Sequence, residues 1–301
     1  TLNTAAGIRE ATGDFVGFVD HDDTIEPDLF FHYTEAVNKE PETDVLYCDE
    51  DKIDPSGTHV WPFLKPQLEI DLLTCKNYIC HMLAVRRSLL MSLEFDNPAF
   101  EGAQDHHLTL QAVEKARRVT HVPRVLYHWR MWETSTATSG DAKGYAQEAG
   151  MNAVRAHFKR IGVDAEVTEG ERPFSYHVFN RPPVEHPRVS ILIPSRDHAE
   201  LLQRCIDSII GKTTYDSYEV LVIENNSERT ETFSYYQQVQ RENKGLVRVV
   251  TWDGKGGFNY SSLINFGAKE SSGDYLLLLN NDMELRTPDW LERMVGLASR
   301  K

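Results

Sequence analysis

From Arg188 to Asp282 the chain alternates short apolar runs with longer segments of helical periodicity. "RVSILIP", "YEVLVIE", "LVRVVTW" and "DYLLLLN" read as buried strands. Between them "AELLQRCIDSIIGKT", a polar stretch ending near Lys244, and "SSLINFGAKESS" read as helices. Strands and helices in alternation predict a parallel sheet with right-handed crossovers, so the fold class is α/β. Residues 1–138 start with a helix tail, "AGIREATG", followed by the strand "DFVGFV", a helix over about Asp28 to Val37 and a looser α+β pattern. Apolar spacing predicts a further helix from Tyr145 to Ile161. "NRPPVEHP", residues 180–187, carries three prolines in eight positions and reads as a linker.

Part of the front region recurs. "EATGDFVGFVDHDDTIEPDLF" is echoed by "ESSGDYLLLLNNDMELRTPDWL", so that Gly13-Asp14 matches Gly273-Asp274 and Asp22 matches Asp282. With the repeat at both ends, residues 1–138 read as the second half of one domain, 139–187 as a connecting helix and linker, and 188–301 as the first half of another copy. Thr1 falls in mid-helix, which leads us to expect a fragment of a longer polypeptide.

At 301 residues and 41% hydrophobic content, the chain has enough apolar material for a sizeable core. Its 32 Lys+Arg against 46 Asp+Glu, a formal charge of -14, argue against nucleic acid as a partner. Cys48, Cys75, Cys80 and Cys205 show no C-x-x-C spacing, which suits reduced thiols in a cytosol-like compartment. No apolar run approaches the roughly 20 residues of a membrane helix.

Chemistry concentrates in "FVGFVDHDDTIEP", residues 15–27, where Asp20, Asp22 and Asp23 collect at a strand end. In open parallel sheets ligands bind beyond the carboxyl ends of strands. A hard divalent cation, Mg²⁺ or Mn²⁺, would relieve the repulsion and leave coordination positions for substrate phosphates. Alternatively, Asp23 caps the next helix, whose first turn holds Glu26, Pro27 and Asp28. The local pattern supports both readings. "LYCDEDKID", with Asp49, Glu50, Asp51 and Asp54, is a second acidic cluster, read as a solvated strand end.

Taken together, "GDFVGFVDHDD", "IPSRDHAELLQRCIDSI", "YEVLVIENNS", "GGFNYSSLINFGAKESSGDYLLLLNND" and "FEGAQDHHLTL…LYHWR" resemble family 2 glycosyltransferases of the GT-A fold. The likeness is greatest to bacterial tandem-domain members that build surface polysaccharides such as O-antigen, and it covers nearly the whole chain outside residues 140–187. It implies Rossmann-like, mostly parallel halves and transfer of a sugar from a nucleotide-diphosphate donor of UDP, GDP or dTDP type. The acceptor would be a glycan or lipid-linked hydroxyl. It further implies a cytoplasmic location extending to the inner face of the membrane through peripheral association.

Carried over residue by residue, the resemblance makes Asp20 and Asp22 the D-x-D pair, with Asp22 the direct metal ligand and Asp23 close to the donor sugar. The second copy reads Asn280-Asn281-Asp282-Met283, keeping one aspartate, and Asp282 is its candidate ligand. Asp105 in "EGAQDHHL" stands where an inverting transfer needs a carboxylate base on the acceptor side; it would also make a helix N-cap. His128 in "LYHWR" matches a histidine that completes the metal or diphosphate site in relatives, and neighbouring Arg130 offers a bidentate phosphate fork. His106 and His107, adjacent on a helix, point in different directions and do not suit one zinc site. Pro194, Ser195, Asp197, Glu224 and Asn225 match positions flanking the base and ribose, Glu224 replacing a more frequent aspartate. Lys255, in the glycine-rich loop "DGKGGFNYS", could approach phosphate.

A competing arrangement joins the two regions into one composite or permuted unit. Residues 188–282 would then supply the nucleotide half and 1–138 the acceptor half, which requires a shared sheet. The rival to catalysis is a degenerate module that binds a sugar nucleotide or glycan within a larger synthase.

Overall fold

The computed structural model describes residues 2–131, 140–254 and 257–300, in two compact units, 1–179 and 180–301. In chain order the first unit contains α1 (Leu2–Glu10), β1 (Phe15–Gly17), β2 (Thr24–Ile25), α2 (Leu29–Lys39), β3 (Thr43–Ile53), β4 (His59–Phe63) and α3 (Ile70–Cys75). It continues with β5 (Ala84–Arg86), α4 (Arg87–Leu90), α5 (Gln104–Lys115), β6 (Arg118–Arg130), α6 (Gly140–Ile161), β7 (Ala165–Glu169) and β8 (Tyr176–Asn180). The second unit holds β9 (Val189–Ser195), α7 (Ala199–Lys212), β10 (Tyr218–Glu224), α8 (Thr230–Glu242), β11 (Val247–Thr251), α9 (Tyr260–Glu270), β12 (Tyr275–Leu278) and α10 (Trp290–Ala298).

The second unit follows its hydrophobic pattern closely. Its strands pair in the order β11-β10-β9-β12, all parallel, and the central β9 and β10 carry the near-continuous apolar runs of strands covered on both faces. On one face α7, whose Leu202, Cys205, Ile206 and Ile209 are buried, packs on Val189, Ile191 and Val222. On the other, α9 sets Leu263 against Leu192, Leu221 and Ile223. Gly267 of α9 lets strand β10 come close, since a Cβ there would lie 2.2 Å from Ile223 Cδ1.

The first unit departs from the mostly parallel expectation. Its sheet runs β1-β5-β3-β6-β2 with β4 on β3, and only β3 and β6 are parallel. Nor does the segment 139–179 stand apart as a connector. Met151, Ala153, Val154 and Phe158 of α6, with Val167 and Tyr176 of the β7–β8 hairpin, complete the core around Tyr47, Leu73, Tyr78 and Leu110. The composite arrangement is also corrected: among the described residues, strands of each unit pair only within that unit, and no sheet is shared. No helix among them is long and apolar enough to cross a membrane.

Candidate active site

Strand β1 delivers the chain to the acidic turn, and Phe18 N–H donates to Leu83 O at 3.0 Å to fix its start. Asp20 and Asp22 are exposed at the turn. Asp23 is half-buried and structurally engaged: its Oδ1 accepts the Arg130 N–H at 2.9 Å and its Oδ2 the Tyr127 hydroxyl at 2.5 Å. It therefore ties the turn to β6 and does not cap α2, whose N-cap position is Asp28. Burial pushes the Asp23 carboxyl up against the pull of those two donors, whereas the His81 contact draws Asp20 down. Two carboxylates three positions apart are thus separated by their surroundings.

His81, which sequence reasoning missed, is the hub of the site. Its ring stacks on Tyr127 with centroids 4.7 Å apart, and its Nε2 lies 3.4 Å from Asp20 Oδ2 and 3.6 Å from Cys80 Sγ. Its Nδ1 is 3.7 Å from Glu50 Oε2. Burial disfavours the imidazolium, yet contacts with Cys80, Asp20 and Glu50 together hold the ring well above an ordinary histidine. Since burial pushes the Cys80 thiol up in turn, Asp20 and Glu50 are the partners that favour a protonated His81.

Beyond Cys80 lies Asp105. Its Oδ2 is 4.0 Å from Cys80 Sγ and accepts from Asn77 Nδ2 at 2.9 Å. Asp105 is not the N-cap of α5. That position is Ala103, and Asp105 sits in the first turn, exposed and facing a cavity of about 390 Å³. Trp129, Phe63, Tyr78 and Tyr176 contribute the cavity's aromatic lining. Asp20 and Asp105 therefore stand on opposite sides of the dipeptide Cys80-His81, joined by contacts of 3.4, 3.6 and 4.0 Å.

The second acidic cluster is corrected outright: Asp49 and Asp51 are buried, at 3% and 8% exposure. Along β3 each carboxylate meets a basic partner. Asp49 Oδ1 lies 2.8 Å from His121 Nε2, and Glu50 Oε2 accepts from the buried Lys65 Nζ at 2.9 Å. Asp51 bridges two histidines, Oδ1 at 2.6 Å from His128 Nδ1 and Oδ2 at 2.9 Å from His59 Nδ1. Pairing of this kind is what makes carboxylates tolerable in a sheet interior.

His128 consequently does not stand with Asp22 as expected; its Nε2 faces Glu26 Oε1 at 3.2 Å. Among the described residues, the ion-pair partner within reach of Asp22 is His21, at 3.7 Å. The tight three-donor groupings among the described residues are Asp20, Asp23 and His81, and Asp51, His59 and His128. His106 and His107 diverge as expected, His106 Nε2 to Leu73 O at 2.8 Å and His107 against the Phe100 ring.

The nucleotide-side candidates gather in the second unit at the carboxyl ends of β9 and β10. Asn225 N–H donates to Ser195 O at 2.9 Å, placing the two strand ends side by side, with Pro194 adjoining. Glu224 Oε1 accepts the Ser227 N–H, and Asp197 Oδ1 accepts those of Glu228 and Arg229 at 3.0 Å, so both carboxylates shape the loop ahead of α8. Asp282 is exposed beyond β12 and joins neither three-donor grouping. Lys255 lies outside the described residues.

With this geometry in hand, residues 190–301 match the sequence pattern of Glycosyl transferase family 2. This part of the chain is family 2 sequence. The chain is also 39% identical over 298 residues to the O-antigen biosynthesis protein RfbC of Myxococcus xanthus, covering 99% of this chain and 23% of that protein. It is 37% identical over 298 residues to the uncharacterized protein y4gI of Sinorhizobium fredii, 98% of this chain and 32% of that one. The chain thus spans a third or less of the length of these relatives. Among solved structures, the mannosyltransferase PcManGT from Pyrobaculum calidifontis, in complex with GDP-Man and Mn²⁺, aligns at 18% identity and a TM-score of 0.36, over 53% of this chain and 43% of that one. The family 2 segment is the all-parallel second unit, whereas the Asp20–His81–Asp105 constellation lies in the first.

Proposed function

We propose that the chain is part of an inverting, metal-dependent glycosyltransferase that moves a sugar from a nucleotide-diphosphate donor to a glycan or lipid-linked hydroxyl in surface-polysaccharide synthesis. In this reading residues 1–138 are the metal and acceptor half of one GT-A domain and residues 188–301 the nucleotide half of the next. The likeness to RfbC along 99% of the chain supports the biological setting. A place at the cytoplasmic face of the membrane follows from that setting.

The observation that carries the reading is the meeting of Asp20 and Asp105 across Cys80-His81. An acceptor hydroxyl in the cavity would face Asp105, whose exposed carboxylate can take its proton as the new bond forms. The exposed oxygens of Asp20 and Asp22 have the hard-donor chemistry that suits Mg²⁺ or Mn²⁺, while Asp23 is occupied in holding β6. A cation bound there would neutralise charge on the diphosphate leaving group. His81, stacked on Tyr127 and with its protonated form favoured by Asp20 and Glu50, would add positive charge on the same side. Arg130 is brought beside the turn by its backbone bond to Asp23 and can reach phosphate through its side chain. In the nucleotide half, Pro194, Ser195, Asp197, Glu224 and Asn225 would surround base and ribose.

The test is release of nucleoside diphosphate, with NMR of the product's anomeric configuration, using the longer polypeptide and a panel of nucleotide sugars. Turnover should require Mn²⁺ or Mg²⁺, stop with chelator, and fall about 10²-fold or more in Asp105→Asn. Metal-independent turnover, or full activity in that variant, would overturn the mechanism. For residues 188–301 a second reading has its own support: Asn280 and Met283 replace acids of the first copy, which favours a binding module there. Calorimetry with UDP, GDP and dTDP would then show uptake with no dependence on Asp282.

A further inference from the structure

We infer that the aromatic cavity beside Asp105 is a subsite for a saccharide that carries a negative charge, a carboxylate or phosphate on the acceptor sugar. The inference rests on the glycosyltransferase reading and names the class of its acceptor.

The wall of the cavity follows from sheet register. Glu50 and Lys52 share a face of β3, being two residues apart. Glu50 pairs with Phe63 on β4, and Lys52 with Trp129 on β6. Glu50 is already matched, by Lys65 Nζ at 2.9 Å and His81 at 3.7 Å, and Asp105 is engaged by Asn77 at 2.9 Å.

The two lysines of the cavity are placed differently. Lys52 Nζ sits over the Trp129 ring, 4.4 Å from its centroid, with Trp61 at 5.8 Å. Lys76 Nζ sits 5.4 Å from the Phe63 centroid. Aromatic faces hold both ammonium groups, and neither makes an ion pair with a carboxylate of the described residues. A cation–π contact fixes an ammonium without cancelling its charge. In a chain of formal charge -14, two lysines lining the same cavity, neither ion-paired among the described residues, point to recognition of an anion.

The aromatic lining supplies the rest of the recognition. Flat rings accept the apolar faces of a pyranose, and Asn77 and Asp105 offer a donor and an acceptor to its hydroxyls. About 390 Å³ falls within the range of small-ligand sites, roughly 300–1,000 Å³. The charged group of the sugar would lie toward Lys52 and Lys76 and the attacking hydroxyl toward Asp105.

The experiment is calorimetric titration of the 301-residue chain, at low and high salt, with methyl glucuronide, glucose 6-phosphate, neutral methyl glucoside and inorganic phosphate. Two surface-type charge contacts predict that at least one charged sugar binds up to about tenfold tighter than the neutral one, with the advantage falling at high salt. Which of the two wins identifies the group as carboxylate or phosphate. The double variant K52Q/K76Q should erase the advantage of the charged sugars over methyl glucoside. Equal binding of neutral and charged sugars, an advantage that survives in the double variant, or inorganic phosphate binding as tightly as the sugar phosphate would each overturn the inference. Because no donor is present, the outcome is independent of turnover. Intact transfer without charge preference would sink this inference alone, and charge-selective binding without any transfer would sink the transferase reading.

Discussion

Helices α2 and α10 begin on matching residues, Asp28-Leu29-Phe30 and Asp289-Trp290-Leu291, and bury different faces. Leu291 is fully buried among Val189, Ile191 and Leu202, whereas its counterpart Phe30 is 62% exposed and borders an apolar cavity of about 380 Å³. The strands before them differ in the same way. Tyr275 and Leu279 send their N–H groups toward β9, but in the first copy it is Phe18, one position out of step, that bonds Leu83 beside β5. Successive N–H groups of a strand point to opposite edges, so the two copies use opposite sides of the same strand. Exposure is reciprocal too: Leu276 and Leu278 are about half exposed, while their counterparts Val16 and Phe18 pack on the first unit's core. Within its own unit, each copy of the strand covers the edge and face that the other copy leaves open.

Four measurements test the contrast between the two copies. The largest contrast is functional: in the longer polypeptide, Asp105→Asn should cost transfer about 10² to 10⁴-fold, and Asp282→Asn in the second copy should leave first-domain transfer unchanged. Equal losses would mean the copies are not the separate halves described. Next comes packing. Leu291→Ala should destabilise the second unit by about 2–5 kcal/mol, and Phe30→Ala should change the first by less than about 0.5 kcal/mol, read by hydrogen exchange within each unit.

A third pair is Gly267 and Gly7, which occupy equivalent positions in α9 and α1. Gly267→Ala meets Ile223 and should cost about 1–3 kcal/mol. Gly7→Ala meets nothing within 4 Å and should stabilise the helix by up to about 1 kcal/mol in denaturant melts. The smallest effect is acid sensitivity. Burial, with Arg160 nearby, lowers His107 to about 4. Below the ordinary histidine value the unfolded chain binds the proton and the folded one does not, so stability falls as pH drops from 6.5 toward 4. His107 should account for about 2 kcal/mol at most of the first unit's loss between pH 6.5 and 5, with the downshifted His106 adding to it, and His107→Gln should reduce that slope. The buried histidines, His106, His107, His128 and His157, all belong to this unit, so the second should show no comparable slope there.

The second unit was the more legible of the two, since β9 through β12 are local runs of Val, Ile and Leu separated by amphipathic helices, and local periodicity decides such elements. The first was harder because its sheet is built from distant pairings. Asp49, Glu50 and Asp51 look like a solvated run until His121, Lys65 and His128 arrive from other elements. Asp105 was recognisable as a candidate, but its place within the first turn of α5, and not at its N-cap, rests on a boundary set by Ala103. His81 left no motif to find. Its role comes from β5 and β6 bringing it over Tyr127, and the one available signal was a histidine directly beside a cysteine in an apolar stretch, "NYICHML".

The double engagement of Asp23 changes how a mutational scan of the acidic turn should be read. Replacing it removes an acceptor from both the Tyr127 hydroxyl and the Arg130 amide, so the end of β6 loses its anchor together with the Trp129 wall that it carries. An inactive Asp23 variant would therefore report a misplaced scaffold; Asp20 is likewise tied to His81 at 3.4 Å, so a substitution at the exposed Asp22 is the one that removes charge from the turn without releasing a buried partner.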